Sequence, residues 1–158
     1  MRYPIERILY NMHVGNTRVK NIRGFLEDLG FSVHTFPPRA PGVDVQVYKQ
    51  NQLVLVIEVT NWRISCYTST EKLNSMNTAF RKFECKKLLM ASFEDNYNTV
   101  KSKIDSDVYI LALGYQTQPF FTWQDKNGDT TGMRPNDKKT KKSTKLKLQN
   151  KLKSMGLI

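Results

Sequence analysis

The feature that most constrains the fold is a pair of segments near the middle of the chain. Val43 to Tyr48 reads VDVQVY, and after the polar stretch KQNQ, Leu53 to Val59 reads LVLVIEV. In the first segment Val43, Val45 and Val47 alternate with Asp44, Gln46 and Tyr48, the period of a β-strand. The second, extended to Thr60, is a strand whose apolar content does not alternate, as expected when both faces are covered. A strand of that kind needs a layer of structure on each side of its sheet.

The rest of the chain supplies candidates for those layers. Pro4 opens a short helix with Ile5, Ile8, Leu9 and Met12 on one side. Asn16 or Thr17 caps a second helix. There Ile22, Phe25, Leu26 and Leu29 recur at i, i+3, i+4 and i+7, and Gly30 is placed to stop it. Phe31 to Phe36 reads as a strand, closed by PPRAPG, which no helix crosses. Leu73, Met76, Phe80 and Phe83 mark a helix, and Lys87 to Ala91 a compact strand. A helix with Tyr97, Val100 and Ile104 follows, and then the strand Val108 to Leu113. The order helix, strand, strand, strand, helix, strand, helix, strand predicts an α/β fold with a central mixed sheet flanked by helices. Gly114 to Pro135 is less regular.

The chain has 158 residues, 17 of them aromatic, enough for one domain with a packed core. No apolar run is long enough for a membrane span. The N-terminal MRYPIERILYNM lacks the apolar core of a signal peptide, so an intracellular location is expected, in the cytoplasm or, for a viral protein, in a virion or host cytoplasm. Cys66 and Cys85 have no zinc spacing and read as packing residues, and His13 and His34 read as structural.

Net charge is +11, from 25 basic and 14 acidic residues. Eight lysines (Lys138, Lys139, Lys141, Lys142, Lys145, Lys147, Lys151 and Lys153) fall in the last 21 residues, which hold no acid. Seventeen basic residues remain for the body, against all 14 acids. The chain therefore divides into a body, 1–137, and a lysine-rich tail, 138–158. Such a tail either meets a polyanion or is a solvated end. It forms a late helix carrying Leu148, Leu152 and Met155, or else it is flexible.

Glu58 is the anomaly in LVLVIEV. A buried carboxylate is tolerated when it is paired, protonated or bound to a metal. A hairpin turning about Asn51 puts Asp44 opposite Glu58, with Cβ atoms about 4.5–5.5 Å apart. Two charges so close repel each other. A divalent cation between them removes the conflict and favours such oxygen ligands. It also suits hydrolysis of a phosphate ester. A one-residue shift of register breaks the pairing. Without a metal, Asp44 reads as a strand-entry residue bonding a turn, and Glu58 as the partner of a basic residue across the sheet.

With an Asp on one strand and a Glu on the next, in a helix–strand–strand–strand–helix–strand order, the chain resembles the PD-(D/E)XK nucleases. GNTRVKNIRGFLEDLGFSVHTFPPRAPGVDV followed by LVLVIEVT looks most like the archaeal Holliday junction resolvase branch, over roughly residues 15 to 92. The resemblance implies a restriction-endonuclease-like core and hydrolysis of DNA phosphodiesters dependent on Mg²⁺ or Mn²⁺, often by a homodimer. Asp44, Glu58 and the backbone carbonyl of Val59 would hold the metal. The family's lysine, two residues after the glutamate, is here Thr60. Its early-helix glutamate aligns with Val19. Some members recruit the lysine from the following helix, which makes Lys72 the candidate and Lys82 the second choice. Arg39, Arg63 and the tail lysines Lys138, Lys139, Lys141, Lys142, Lys145 and Lys147 would hold DNA phosphates, with Trp62 at the rim. A protein of an archaeal virus or mobile element is compatible with this resemblance. Two functions remain open: a metal-dependent endonuclease selective for junctions or flaps, and a catalytically inactive DNA-binding or packaging protein on the same fold.

Overall fold

The computed structural model describes residues 18–36, 42–59, 69–92, 97–113 and 138–158. Helix α1 covers residues 18–28. It ends at Gly30, whose positive φ of 93° is open to a residue without a Cβ. That conformation lets the Gly30 N–H donate to the Glu27 carbonyl and the Phe31 N–H to the Leu26 carbonyl, closing the helix end. Strand β1 (Ser32–Thr35) follows. Strands β2 (Val45–Lys49) and β3 (Gln52–Val59) form a hairpin. Its two-residue turn has Gln50 and Asn51 at φ 52° and 63°, the left-handed pair that matches strand twist. Then come α2 (Ser69–Phe80), β4 (Lys86–Ser92), α3 (Tyr97–Lys103), β5 (Val108–Leu113) and α4 (Lys138–Ser154).

The five strands form one sheet in the order β1-β2-β3-β4-β5. Strands β1 and β2, and β2 and β3, pair antiparallel, while β3, β4 and β5 pair in parallel. The sheet is therefore mixed and flanked by helices, the α/β class expected from the sequence.

Two core layers, one on each side of the sheet, follow from strand alternation. On one side Ile22 and Leu26 of α1 meet Val45, Val47, Leu55, Ile57, Leu88 and Met90, together with Leu148 and Leu152 of α4 and Met155 just beyond it. On the other side Leu73, Met76 and Phe80 of α2 and Val100 of α3 meet Val56, Leu89, Ala91, Val108 and Ile110. Leu55, Val56 and Ile57 are all fully buried, so β3 is covered on both faces as its composition requires.

Two expectations change in detail. Leu29, assigned to the buried face of α1, is 37% exposed because it lies in the turn beyond the helix end. Phe83 lies beyond the end of α2 and is only partly buried. The lysine-rich segment is a helix, and Leu148, Leu152 and Met155 anchor it in the α1 layer at 2% exposure or less. The helix expected after Pro4, His13, Arg39, Thr60, Trp62, Arg63, Cys66 and the stretch from Gly114 to Pro135 lie outside the described residues. No helix among the described residues is long and apolar enough to cross a membrane.

Candidate active site

Register decides whether Asp44 and Glu58 can meet. Next to the turn, Lys49 pairs with Gln52 and Tyr48 with Leu53. Continued without interruption, that ladder would set Asp44 against Ile57, whose side chain points to the α1/α4 layer. The register instead shifts between Val47 and Tyr48, so that Val47 pairs with Leu55 and Val45 with Ile57. Val54 is the extra residue of a β-bulge. The shift lines Asp44 up toward Glu58, one step beyond the last regular pair.

At Asp44 the chain bends out of the ladder. Its N–H donates to the Ile57 carbonyl at 3.1 Å, and its carbonyl accepts from the Phe36 N–H at 3.3 Å. The Val59 N–H donates to Asp44 Oδ2 at 2.8 Å. The Asp44 carboxylate is thus tied to the end of β3 beside Glu58, and the two carboxyl groups are close enough to shift each other's acidity. The Val59 side chain packs on the other face, in the α1/α4 layer, so only its backbone belongs to this site.

Burial and proximity reshape the acidity of the pair. Desolvation, then the charge of Asp44, pushes Glu58 from 4.5 up to about 9. Desolvation also raises Asp44, opposed by the hydrogen bonds from Val59 and Glu58. One proton shared between the two carboxyl groups relieves their repulsion at neutral pH.

Helix α2 supplies the facing wall. Its buried stripe of Leu73, Met76 and Phe80 leaves Glu71, Lys72, Ser75 and Ala79 along the flank. Together with Glu58 and Gly42 these residues line a cleft of about 470 Å³. Lys72 therefore shares a cleft with Glu58, the position expected for a lysine drawn from the following helix. Lys82 lies in the turn after α2 and is exposed, and it does not line this cleft. Val19 packs against the α1/α4 layer, on the opposite side of the sheet.

Sequence reasoning missed Glu71 and Asn77. Glu71 precedes Lys72, and its place on the cleft wall depends on how α2 lies over β3. Asn77 is 3% exposed and holds α2 in that position. Its Nδ2 donates to the Lys103 carbonyl at 3.0 Å, and its Oδ1 accepts from the Asp105 N–H at 2.9 Å. A polar residue inside an apolar helical stripe is the signal that could have found it. Arg81 adds a two-pronged contact to Asp105 at 2.7 and 2.8 Å.

The remaining candidates fall elsewhere. Lys142, Lys145 and Lys147 are exposed on α4, and Lys138, Lys139 and Lys141 lie in its first turns. His34 meets the Tyr48 ring edge-on at 5.2 Å. Cys85 is a half-buried free thiol, pushed up in pKa by desolvation.

The donor set suits a hard divalent cation. Two neighbouring carboxyl groups present oxygen ligands; desolvation raises the pKa of both, the charge of Asp44 raises Glu58 further, and a cation would favour their charged forms. Among the described residues no third His, Cys, Asp or Glu completes a metal-ligating group. No family model matches the chain, and no curated protein matches its sequence.

Proposed function

We propose that the protein is a metal-dependent DNA endonuclease with a restriction-endonuclease-like core, acting at the Asp44–Glu58 pair. The observation that carries this reading is the register that sets Asp44 beside Glu58 at the end of a strand buried on both faces, with Glu58 and Lys72 lining one open cleft. The carboxyl ends of parallel strands are where α/β sheets take ligands.

Asp44 and Glu58, with the Val59 carbonyl, would hold Mg²⁺ or Mn²⁺. The bound cation would supply water activation and charge stabilisation for phosphodiester hydrolysis. Asp44 is oriented by the Val59 N–H at Oδ2, and its other oxygen would be the one offered to the cation. Glu58 would hold the cation as a carboxylate, with release of its proton. Lys72 orients the attacking water or the phosphate from the opposite wall, the role that Thr60 cannot fill. Arg39 and Arg63 would hold backbone phosphates near the cleft, and the α4 lysines phosphates away from it, contacts that give affinity without reading sequence. Structure-selective cleavage at four-way junctions or flaps fits this mode of contact, as does a homodimer.

A second reading keeps the DNA surface and discards the chemistry. The raised pKa of Glu58 favours it, because a protonated Glu58 beside Asp44 needs no cation to relieve repulsion. Val19 and Thr60, in place of two expected active-site groups, favour it too.

Labelled four-way junction, flap and linear duplex DNA, incubated with Mg²⁺ or Mn²⁺, separates the two. The nuclease reading expects metal-dependent cuts by the wild type and none by Glu58→Ala. Tight, salt-sensitive binding without cuts in either metal would reject it in favour of the inactive binder.

A further inference from the structure

The lysine helix and the carboxylate cleft lie on opposite sides of the sheet. Helix α4 is seated through Leu148 and Leu152 on the layer that contains α1, with Met155 anchoring the turn beyond it, whereas Glu58 opens toward α2. With 3.6 residues per turn, the side of α4 opposite those apolar residues carries Lys142 and Lys153 around Leu146. Lys145 flanks it toward α1, where its Nζ sits 5.7 Å from the Phe25 ring. Lys151 flanks it toward β5, where its Nζ and that of Lys86 lie 5.7 and 5.6 Å from the Tyr109 ring. The nearest acid in the groove between α1 and α4 is Asp28, beside Lys145, and Glu27 is taken up by Arg23 at 2.7 Å. Helix α4 itself has no acidic residue.

We infer that the outward face of α4 holds a second duplex segment of nucleic acid, separate from the one at the carboxylate cleft, so that the protein bridges two segments. The inference rests on reading the cleft as a DNA site. Two helix layers on either side of a sheet stand about 20 Å apart between axes. A straight duplex lying at the cleft leaves the outward lysines pointing away from it. From Lys142 to Lys153 the helix rises about 16 Å, which spans several phosphates of one strand. An anionic membrane fits less well. A membrane-surface helix needs a broad apolar face for lipid. Here that face is spent in the core, leaving Leu146, 57% exposed, as the one apolar residue of α4 turned outward. Base stacking fits less well too, because the Tyr109 ring already carries two ammonium groups.

Capture of a fluorescent duplex by protein already bound to an immobilised duplex tests the bridge. The full chain is used with EDTA present, so the readout is independent of cleavage. Wild type is expected to capture the second duplex. A form with Lys142→Gln, Lys145→Gln, Lys147→Gln and Lys153→Gln is expected to lose capture at least about tenfold. The salt slope of total binding should fall by about 3 to 4 units, close to one for each phosphate no longer neutralised. Arginine at the same four positions should preserve capture, which separates charge from helix integrity. Failure of the wild type to capture, or equal capture by the glutamine form, overturns the inference. Bridging by a dimer through two carboxylate clefts would give that second result. Binding to phosphatidylserine vesicles with no duplex capture would also overturn it. A larger loss on a single four-way junction than on separate duplexes assigns the second segment to an arm of the same molecule, and equal losses assign it to a separate one. Cuts without capture sink the bridge alone, whereas capture without cuts sinks the nuclease reading alone.

Discussion

The two faces of the sheet are built from the same strands and do different things. Toward α1 and α4, strand β3 sends Leu55, Ile57 and Val59 into a closed apolar layer. Toward α2 and α3 it sends Val56 into an apolar layer and then Glu58 into an open cleft. A carboxylate one position earlier or later would sit inside the closed layer with no partner, at the full cost of burying a charge. Parity along a strand decides whether an acid in it is a defect or a site. The two faces also separate two kinds of charge in the molecule. Asp44 and Glu58 are half-buried side by side on one side, while Lys142, Lys145, Lys147 and Lys153 of α4 are exposed on the other.

The comparison breaks most visibly at Glu58. Under the proposed nuclease reading, Glu58→Ala lowers cleavage at least about 10³-fold, since a metal site stabilises a phosphoryl transition state by several kcal/mol. Single-turnover rates on labelled junction DNA measure this. On the closed side, Leu152→Ala removes a fully buried anchor of α4. Urea unfolding should show a loss of about 2–5 kcal/mol. A loss below about 0.5 kcal/mol would mean that α4 is an appendage rather than part of the fold.

The pH dependence sharpens the contrast. Glu58, raised from 4.5 to about 9, holds its proton more tightly folded than unfolded. Its contribution to stability is complete below pH 4.5 and is lost as pH climbs toward 9. Asp44, also raised, acts in the same direction. Thermal melts in EDTA should therefore show the melting temperature of the wild type falling across that window. Glu58→Gln should flatten the fall. Identical profiles for the two proteins would mean that the carboxyl pair is not coupled as described.

Smaller effects test the supports. Asn77→Ala leaves the Lys103 carbonyl and the Asp105 N–H without their partner, at a cost of about 1–3 kcal/mol in urea unfolding. Lys142→Gln, on the exposed side of α4, should change stability by no more than about 0.5 kcal/mol. Together with Leu152→Ala it shows that the two sides of one helix divide packing from charge.

The element order was legible because each segment carries its own period: two in Val43–Tyr48, and three to four in Ile22–Leu26 and Leu73–Phe80. The meeting of Asp44 with Glu58 was legible for a partly different reason from the one that produces it. A turn centred on Asn51 gives the right pairing on paper. The chain turns at Gln50–Asn51 and recovers the pairing through the bulge at Val54, which no local signal announces. Leu29 fits the helical stripe, but the helix stops before it. The fate of the lysine segment depended on whether Leu148, Leu152 and Met155 found an uncovered sheet face, a tertiary fact. Glu71 was illegible for the same reason, because the cleft exists only once α2 is laid over β3.

Isothermal titration of Mn²⁺ into the metal-free protein near neutral pH tests the proposal that Glu58 and Asp44 share a cation. The account predicts saturable binding by the wild type with release of a proton, seen as heat that varies with buffer ionisation. Glu58→Gln should bind at least about tenfold more weakly and release none. Absence of binding by the wild type, or equal binding by Glu58→Gln, would contradict it and leave the pair as two acids sharing a proton.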